Sequence, residues 1–189
     1  STFAPVPEAS MKKSLVAGLL AAVLVASAPA DAALNAYLKL KGTKQGDIKG
    51  SVTQKGREGK IMVIAVDHDV KSDPAGRKQH GVFTITKELD QSTPLLYKAL
   101  TSGEILAEFE LQFWTPQVGG AIGGGGTEYQ HYTVRLTNAR IVDIRFRMQN
   151  NKNPELMKYA ESEEIAFTYE SITWTWNQGG VTAGDSAKF

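Results

Sequence analysis

Few residues in this chain have the chemistry of a reactive site. It has 189 residues, three histidines and no cysteine. Disulfides, thiolate metal sites and cysteine nucleophiles are therefore excluded. Asp67-His68-Asp69 has the residue types of a metal cluster. In a strand, however, His68 points away from both aspartates, so the triplet reads as a strand end entering a solvated loop. His80 and His131 stand alone and read as surface or packed imidazoles. No G-x-S-x-G is present, which removes that kind of nucleophile elbow. Gly119–Gly126 invites a phosphate reading. It lacks the Lys-Ser/Thr pair of a P-loop and joins two strands, so a flexible turn fits better. Glu161, Glu163 and Glu164 read as a solvated acidic face. Phe167, Tyr169, Trp174 and Trp176 have the types of a sugar platform, but aromatic strands more often pack a core or an interface. No catalytic, cofactor-binding or metal-ligating residue emerges, and an enzyme is not expected.

The elements that would position any site are mostly strands. Thr93–Gly103 is the one segment that reads firmly as a helix. Thr93 is placed to cap it and Pro94 to open it. Leu95, Leu96, Ala99 and Leu100 form one apolar stripe, and Gly103 stands where a helix commonly stops. Leu34–Leu40 alternates as a half-buried strand, and Asp47–Thr53 follows as a short second one. Ile61–Val66 is a continuous apolar run that fits a strand covered on both faces. Val82–Leu89 is another strand. Glu104–Trp114 places Ile105, Ala107, Phe109, Leu111 and Phe113 on one side and Glu104, Leu106, Glu108, Glu110 and Gln112 on the other. Leu106 is then an exposed apolar residue suited to contacts. Tyr132, Val134 and Leu136 mark a strand; Ile141–Met148 follows, with Val142, Ile144, Phe146 and Met148 inward. Leu156–Glu161 has the length of one helical turn. Ile165–Trp176 changes phase near Glu170-Ser171, as a β-bulge would make it do.

Lys71, Ser72, Asp73, Pro74, Ala75, Gly76, Arg77, Lys78 and Gln79 form a polar stretch without period, which predicts an exposed loop long enough to be a contact element. Residues 179–189 have no pattern and read as a flexible tail. The expected fold is mainly β: a closed or nearly closed antiparallel barrel or two-sheet sandwich with one short flanking helix.

Residues 1–32 differ from the rest. Met11-Lys12-Lys13 is followed by the apolar run Leu15–Ala30 and by small residues at Ala28, Ala30 and Ala32, the layout of a secretory signal peptide. An uncleaved anchor and a non-native leader are the alternatives. The run is short for a membrane span, so no stable membrane insertion is expected. The net charge of +1 disfavours a surface for nucleic acid built on bulk charge.

Several stretches carry a family resemblance. They are Ala36–Gly42, Ile48–Thr53, Lys60–Asp69, Ile85–Asp90 leading into Ser92–Leu95, Leu136–Val142 and Phe167–Trp176. In this order they resemble Hcp, the haemolysin-coregulated protein family of bacterial type VI secretion, over about residues 33–178. The resemblance implies a tail-tube-like β-barrel and homohexameric rings that stack into a hollow tube. It implies a contractile sheath around that tube, the spike protein VgrG at its tip, and effectors in its lumen. It implies assembly in the cytoplasm, secretion through the apparatus, and no catalytic residues. It also makes Lys71–Gln79 the protruding loop that touches a neighbouring subunit or ring. The leader departs from the family pattern, since a working signal peptide would send the chain to the periplasm. A Sec-exported monomeric β-barrel that binds a ligand is the alternative reading.

Overall fold

A computed structural model of the chain describes residues 34–116, 128–187 and 189. The leader and most of the glycine-rich loop lie outside the described residues. In chain order the elements are β1 (Asn35–Gly42), β2 (Gly46–Ile48), β3 (Ile61–Val63), β4 (Ala65–Asp67), β5 (Val70–Ser72), β6 (Lys78–His80), β7 (Phe83–Glu88) and α1 (Thr93–Thr101), then β8 (Leu106–Pro116), β9 (Glu128–Thr137), β10 (Arg140–Arg147), β11 (Ser162–Thr168), β12 (Ser171–Trp176) and β13 (Val181–Ser186). A seven-stranded sheet has the order β13-β12-β9-β8-β1-β2, with β3 also paired to β1. A four-stranded sheet has the order β10-β11-β7-β4. All strand pairs are antiparallel. The two sheets enclose one apolar core that includes Leu38, Ile61, Ile85, Phe109, Leu111, Ile165 and Phe167. The mainly β, two-sheet expectation is met, without a closed barrel among the described residues.

Chain segments pass from one sheet to the other at three corners. The first is Ile64, between β3 and β4. The run Ile61–Val66 is therefore two short strands and not one strand buried on both faces. Ile61 and Val63 face the core, whereas Met62, Ile64 and Val66 are exposed. The second corner is Asn138, whose φ of 49° lies in the left-handed region that asparagine tolerates. The third is Tyr169-Glu170. Asn138 Nδ2 donates to Glu170 Oε2 at 2.7 Å, and Glu170 N donates to Thr137 O at 2.9 Å, so the second and third corners brace each other. Because β9 pairs with β12 and β10 with β11, residues 128–147 and 162–176 form one bent hairpin that contributes to both sheets. The phase change near Glu170 is real, but its cause is this transfer between sheets and not a bulge within one strand.

True bulges account for two misplaced faces. Lys41 pairs with Glu108 and Gly42 with Leu106, which leaves Ala107 as the extra residue. Ala107 is exposed and Leu106 fully buried, the reverse of strict alternation. Leu106 is thus a core residue and not a contact surface. In β10, Ile141 pairs with Phe167 and Asp143 with Ala166, so Val142 is extra and exposed. Ile144 packs on the core as expected. Phe146 and Met148 are exposed, not inward.

The helix α1 buries Leu96 and Ala99, and Leu95 and Leu100 pack against the core. Its cap is Ser92, and no side chain makes a capping bond. Thr93 has another role: its hydroxyl donates to Glu163 Oε1 at 2.8 Å. Gly103 has the expected positive φ, 60°. Residues 149–161 form turns, with no helix. Asp47–Thr53 shrinks to β2, after which Gly50 approaches β3. A Cβ on Gly50 would lie 2.5 Å from Ile61 Cα and Lys60 O, both backbone atoms that cannot rotate away. Gly50→Ala is expected to destabilise by about 1–3 kcal/mol, as other overpacked sites do. A urea midpoint equal to wild type would contradict this.

Residues 181–186 are not a flexible tail. They form β13, paired along its length with β12 from Ser171↔Ser186 to Trp176↔Val181. The strand is almost wholly exposed, so its ladder is made by backbone bonds and leaves no apolar period in the sequence.

Candidate assembly hairpin and its anchoring cluster

Asp73-Pro74-Ala75-Gly76 carries strong turn chemistry: an aspartate that accepts local backbone bonds, a proline with fixed φ and a glycine free to take positive φ. Asp73 Oδ1 accepts from Ala75 N at 2.9 Å and Arg77 N at 2.8 Å, and Gly76 has φ 76°. The turn closes β5 on β6, with Lys71 opposite Gln79 and Ser72 opposite Lys78. The predicted loop is therefore a two-stranded hairpin that pairs with neither main sheet. Residues 71–79 are exposed except for the half-buried Asp73.

Charges on the hairpin are paired locally. Lys71 Nζ lies 2.5 Å from Asp69 and holds that carboxyl below its usual range. Asp73 is lowered by the Arg77 backbone N–H and then by the Arg77 side chain, whose Nε is 2.6 Å away. Lys78 bridges to Asp185 on β13, and Asp185 is lowered by Lys78 and then by His80.

The root of the hairpin is fixed by a buried polar cluster. His80 is 6% exposed; its Nε2 lies 3.2 Å from Asp185 Oδ2 and its Nδ1 3.1 Å from the Tyr169 hydroxyl. His68 Nε2 lies 2.6 Å from the same hydroxyl. The His68 ring packs 5.2 Å from Phe83, and the Phe189 ring meets Tyr169 edge-on at 5.1 Å. Burial, then the charges of Asp69 and Asp185, push the Tyr169 phenol up to about 12. Burial, then the neighbouring His80, lower His68. Thus His68 does not end in solvent and His80 is not isolated. No sequence signal joins positions 68, 80, 169 and 185, because antiparallel pairing and a sheet corner bring them together. His131 is a packed imidazole against Phe113, Tyr129 and Trp176.

Two further buried networks brace the body. Lys87 and Glu163 are both fully buried, with Nζ 2.7 Å from Oε1, and Lys87 also reaches Asp90 at 2.9 Å. Glu163 is therefore not part of a solvated face, as its neighbours Glu161 and Glu164 had implied. Burial raises Asp90, but bonds from Ser92 and Lys87 outweigh it and leave the carboxyl lowered. On another edge, the Arg57 guanidinium lies 3.9 Å from the centroid of Trp114 and pairs with Glu128 at 2.5 Å. Of the aromatic strand, Phe167 and Tyr169 are core, Trp174 packs on the core and Trp176 is exposed. Among the described residues no helix is long and apolar enough to cross a membrane, and no three metal-ligating side chains converge.

Residues 37–176 match the family model for "Type VI secretion system effector, Hcp". The chain belongs to the Hcp family. Hcp is a structural family of type VI secretion and not an enzyme family. The "Major exported protein" of Pseudomonas aeruginosa is 35% identical over 166 residues, covering 79% of this chain and 93% of that one. The secreted protein Hcp3 from Pseudomonas aeruginosa superposes with a TM-score of 0.69 at 33% identity, covering 83% of this chain and all of that one. A crystal structure of an Hcp protein gives a TM-score of 0.74 at 27% identity over 83% of this chain and 99% of its own. This chain is a type VI secretion tube protein.

Proposed function

We propose that the chain forms homohexameric rings that stack into a hollow tube, assembled in the cytoplasm and secreted through the type VI apparatus. The family match over residues 37–176 carries this reading. In such an assembly the contractile sheath surrounds the tube, VgrG sits at its tip and effectors ride in its lumen. A head-to-tail ring needs complementary surfaces rather than a pocket. Exposed apolar side chains suited to contacts include Phe146, Met148, Met157 and Tyr159, all on or beside the β10–β11 connection. The hairpin Lys71–Gln79 contacts a neighbouring subunit or ring. Its exposure and its independence of both sheets support that role.

Light scattering after size exclusion tests the ring: the expected mass is near six chains. Deleting Ser72–Gln79 is expected to leave the melting temperature within a few degrees, because the segment holds no core residue, and to weaken ring closure or stacking. A deletion variant that unfolds would remove the contact role. The second reading, a Sec-exported monomeric binding protein in the periplasm, is favoured by the signal-like residues 11–32 alone. It predicts a single-chain mass and a melting temperature that rises with ligand.

A further inference from the structure

The cluster at the hairpin root has an unusual hydrogen-bond count. One phenol hydroxyl stands between two imidazole nitrogens, with a carboxylate at the far side of one imidazole. A phenol has one hydrogen to donate and an oxygen that accepts. We propose that His68, Tyr169 and His80 form a proton-operated latch. It holds the Lys71–Gln79 hairpin to β13 while at most one imidazole is charged, and it lets go when both are.

The protons can be followed atom by atom. With both imidazoles neutral, His80 Nε2–H donates to Asp185, Tyr169 O–H donates to His80 Nδ1, and His68 Nε2–H donates to the Tyr169 oxygen. One added proton can be housed on His80 Nδ1, which then donates to the Tyr169 oxygen. The hydroxyl turns and donates to His68 Nε2, and His68 carries its own proton on Nδ1. Every contact survives and only the direction of two bonds reverses. A second proton has no such place. Both imidazoles then donate to one oxygen, the phenol hydrogen faces a donor on either side, and two cations stand with ring centroids 6.3 Å apart. Tyr169 cannot relieve this by ionising, since its own proton is held to about 12.

Other charges face the pair. Asp67 and Asp69 lie beside His68, Lys71 neutralises Asp69, and Lys78 shares Asp185 with His80. From β7 comes the ring of Phe83, and Phe189 brings its ring against Tyr169. His68 takes up its proton below the ordinary histidine range of about 6.5. The folded state then binds fewer protons than the unfolded chain, so this contribution to stability is complete above that range and is lost as the pH falls through the lowered value of His68. The hairpin has no other sheet partner, so the latch and the Lys78–Asp185 bridge decide how firmly it is attached.

The test is a titration of the full chain from pH 8 to pH 4, following the imidazole carbon and proton resonances of His68 and His80 by NMR. Hydrogen exchange of residues 70–80, corrected for intrinsic rates, is followed in parallel. The expected result is two separate one-proton steps, with hairpin protection kept through the first and lost by at least tenfold in the second. Tyr169→Phe keeps the ring and removes the hydroxyl; it is expected to expose the hairpin already at pH 8 and to make the two imidazoles titrate independently. A wild-type hairpin equally protected after both steps would overturn the latch, as would a folded Tyr169→Phe variant with wild-type protection. The wild-type titration decides the matter if that variant fails to fold. Both readouts are local to the hairpin, so failure of the latch and failure of ring formation are distinguishable.

Discussion

Lys87→Met is expected to lower stability by about 3–5 kcal/mol, because it leaves the Glu163 carboxylate buried without its cation. Lys87 and Glu163 are fully buried, and the same ammonium serves Asp90 at 2.9 Å, the Glu88 carbonyl at 2.7 Å and the Thr93 hydroxyl at 3.2 Å. Glu163 Oε1 also accepts from Thr93, while Oε2 has no protein partner. The network ties β7, β11 and the start of α1 into one unit, and Asp90 extends it to Ser51 N at 3.1 Å. For a chain of this size the loss corresponds to a fall in melting temperature on the order of 10 °C. Lys87→Met combined with Glu163→Leu is expected to recover most of it, since a buried pair replaced by apolar groups is often neutral or better. A single variant melting within about 2 °C of wild type would show that the pair contributes little.

Phe109→Ala is expected to cost about 3–5 kcal/mol, the range for emptying a buried aromatic site. Phe109 is 2% exposed and stands between the sheets. Its ring meets Phe83 at 5.5 Å and Phe167 at 5.0 Å, both edge-on, an arrangement that adds to area burial. Phe83 and Phe167 belong to the four-stranded sheet and Phe109 to the seven-stranded one, so the contact joins the two layers. Phe146→Ala makes the same chemical change at a side chain that is 51% exposed in the single chain, and where the chain is monomeric it is expected to stay within about 0.5 kcal/mol of wild type. Denaturant melts of both variants check the contrast. Equal losses would mean that Phe146 is buried, for example against another copy of the chain.

Local pattern made much of the fold legible. In β1 the alternating Ala36, Leu38 and Leu40 are buried as expected, although Tyr37 on the other side is buried too, and Val134 and Leu136 of β9 and the apolar stripe of α1 also face the core. The turn chemistry of Asp73–Gly76 was visible as an exposed polar stretch, although its pairing into a hairpin was not. Alternation fails where one residue is inserted, at Ala107 and at Val142, because a bulge shifts phase without any change of residue type. It also misreads Ile61–Val66, where the chain changes sheet at Ile64. An edge strand such as β13 is held by backbone bonds, which leave no trace in side-chain pattern.

The sequence by itself determined a mainly β chain with one short helix, an exposed polar element at Lys71–Gln79 and the Hcp resemblance that the family match bears out. These properties reside in consecutive residues, where propensity, alternation and turn chemistry act. Only the tertiary structure decided that His68 and His80 share Tyr169, that Lys87 neutralises Glu163 and that Leu106 is core. Each depends on residues distant in sequence, up to 101 positions apart between His68 and Tyr169, meeting through strand register and sheet corners. A charged or imidazole side chain looks solvent-seeking in isolation; burial becomes favourable only when a partner supplies the bond that water would otherwise make.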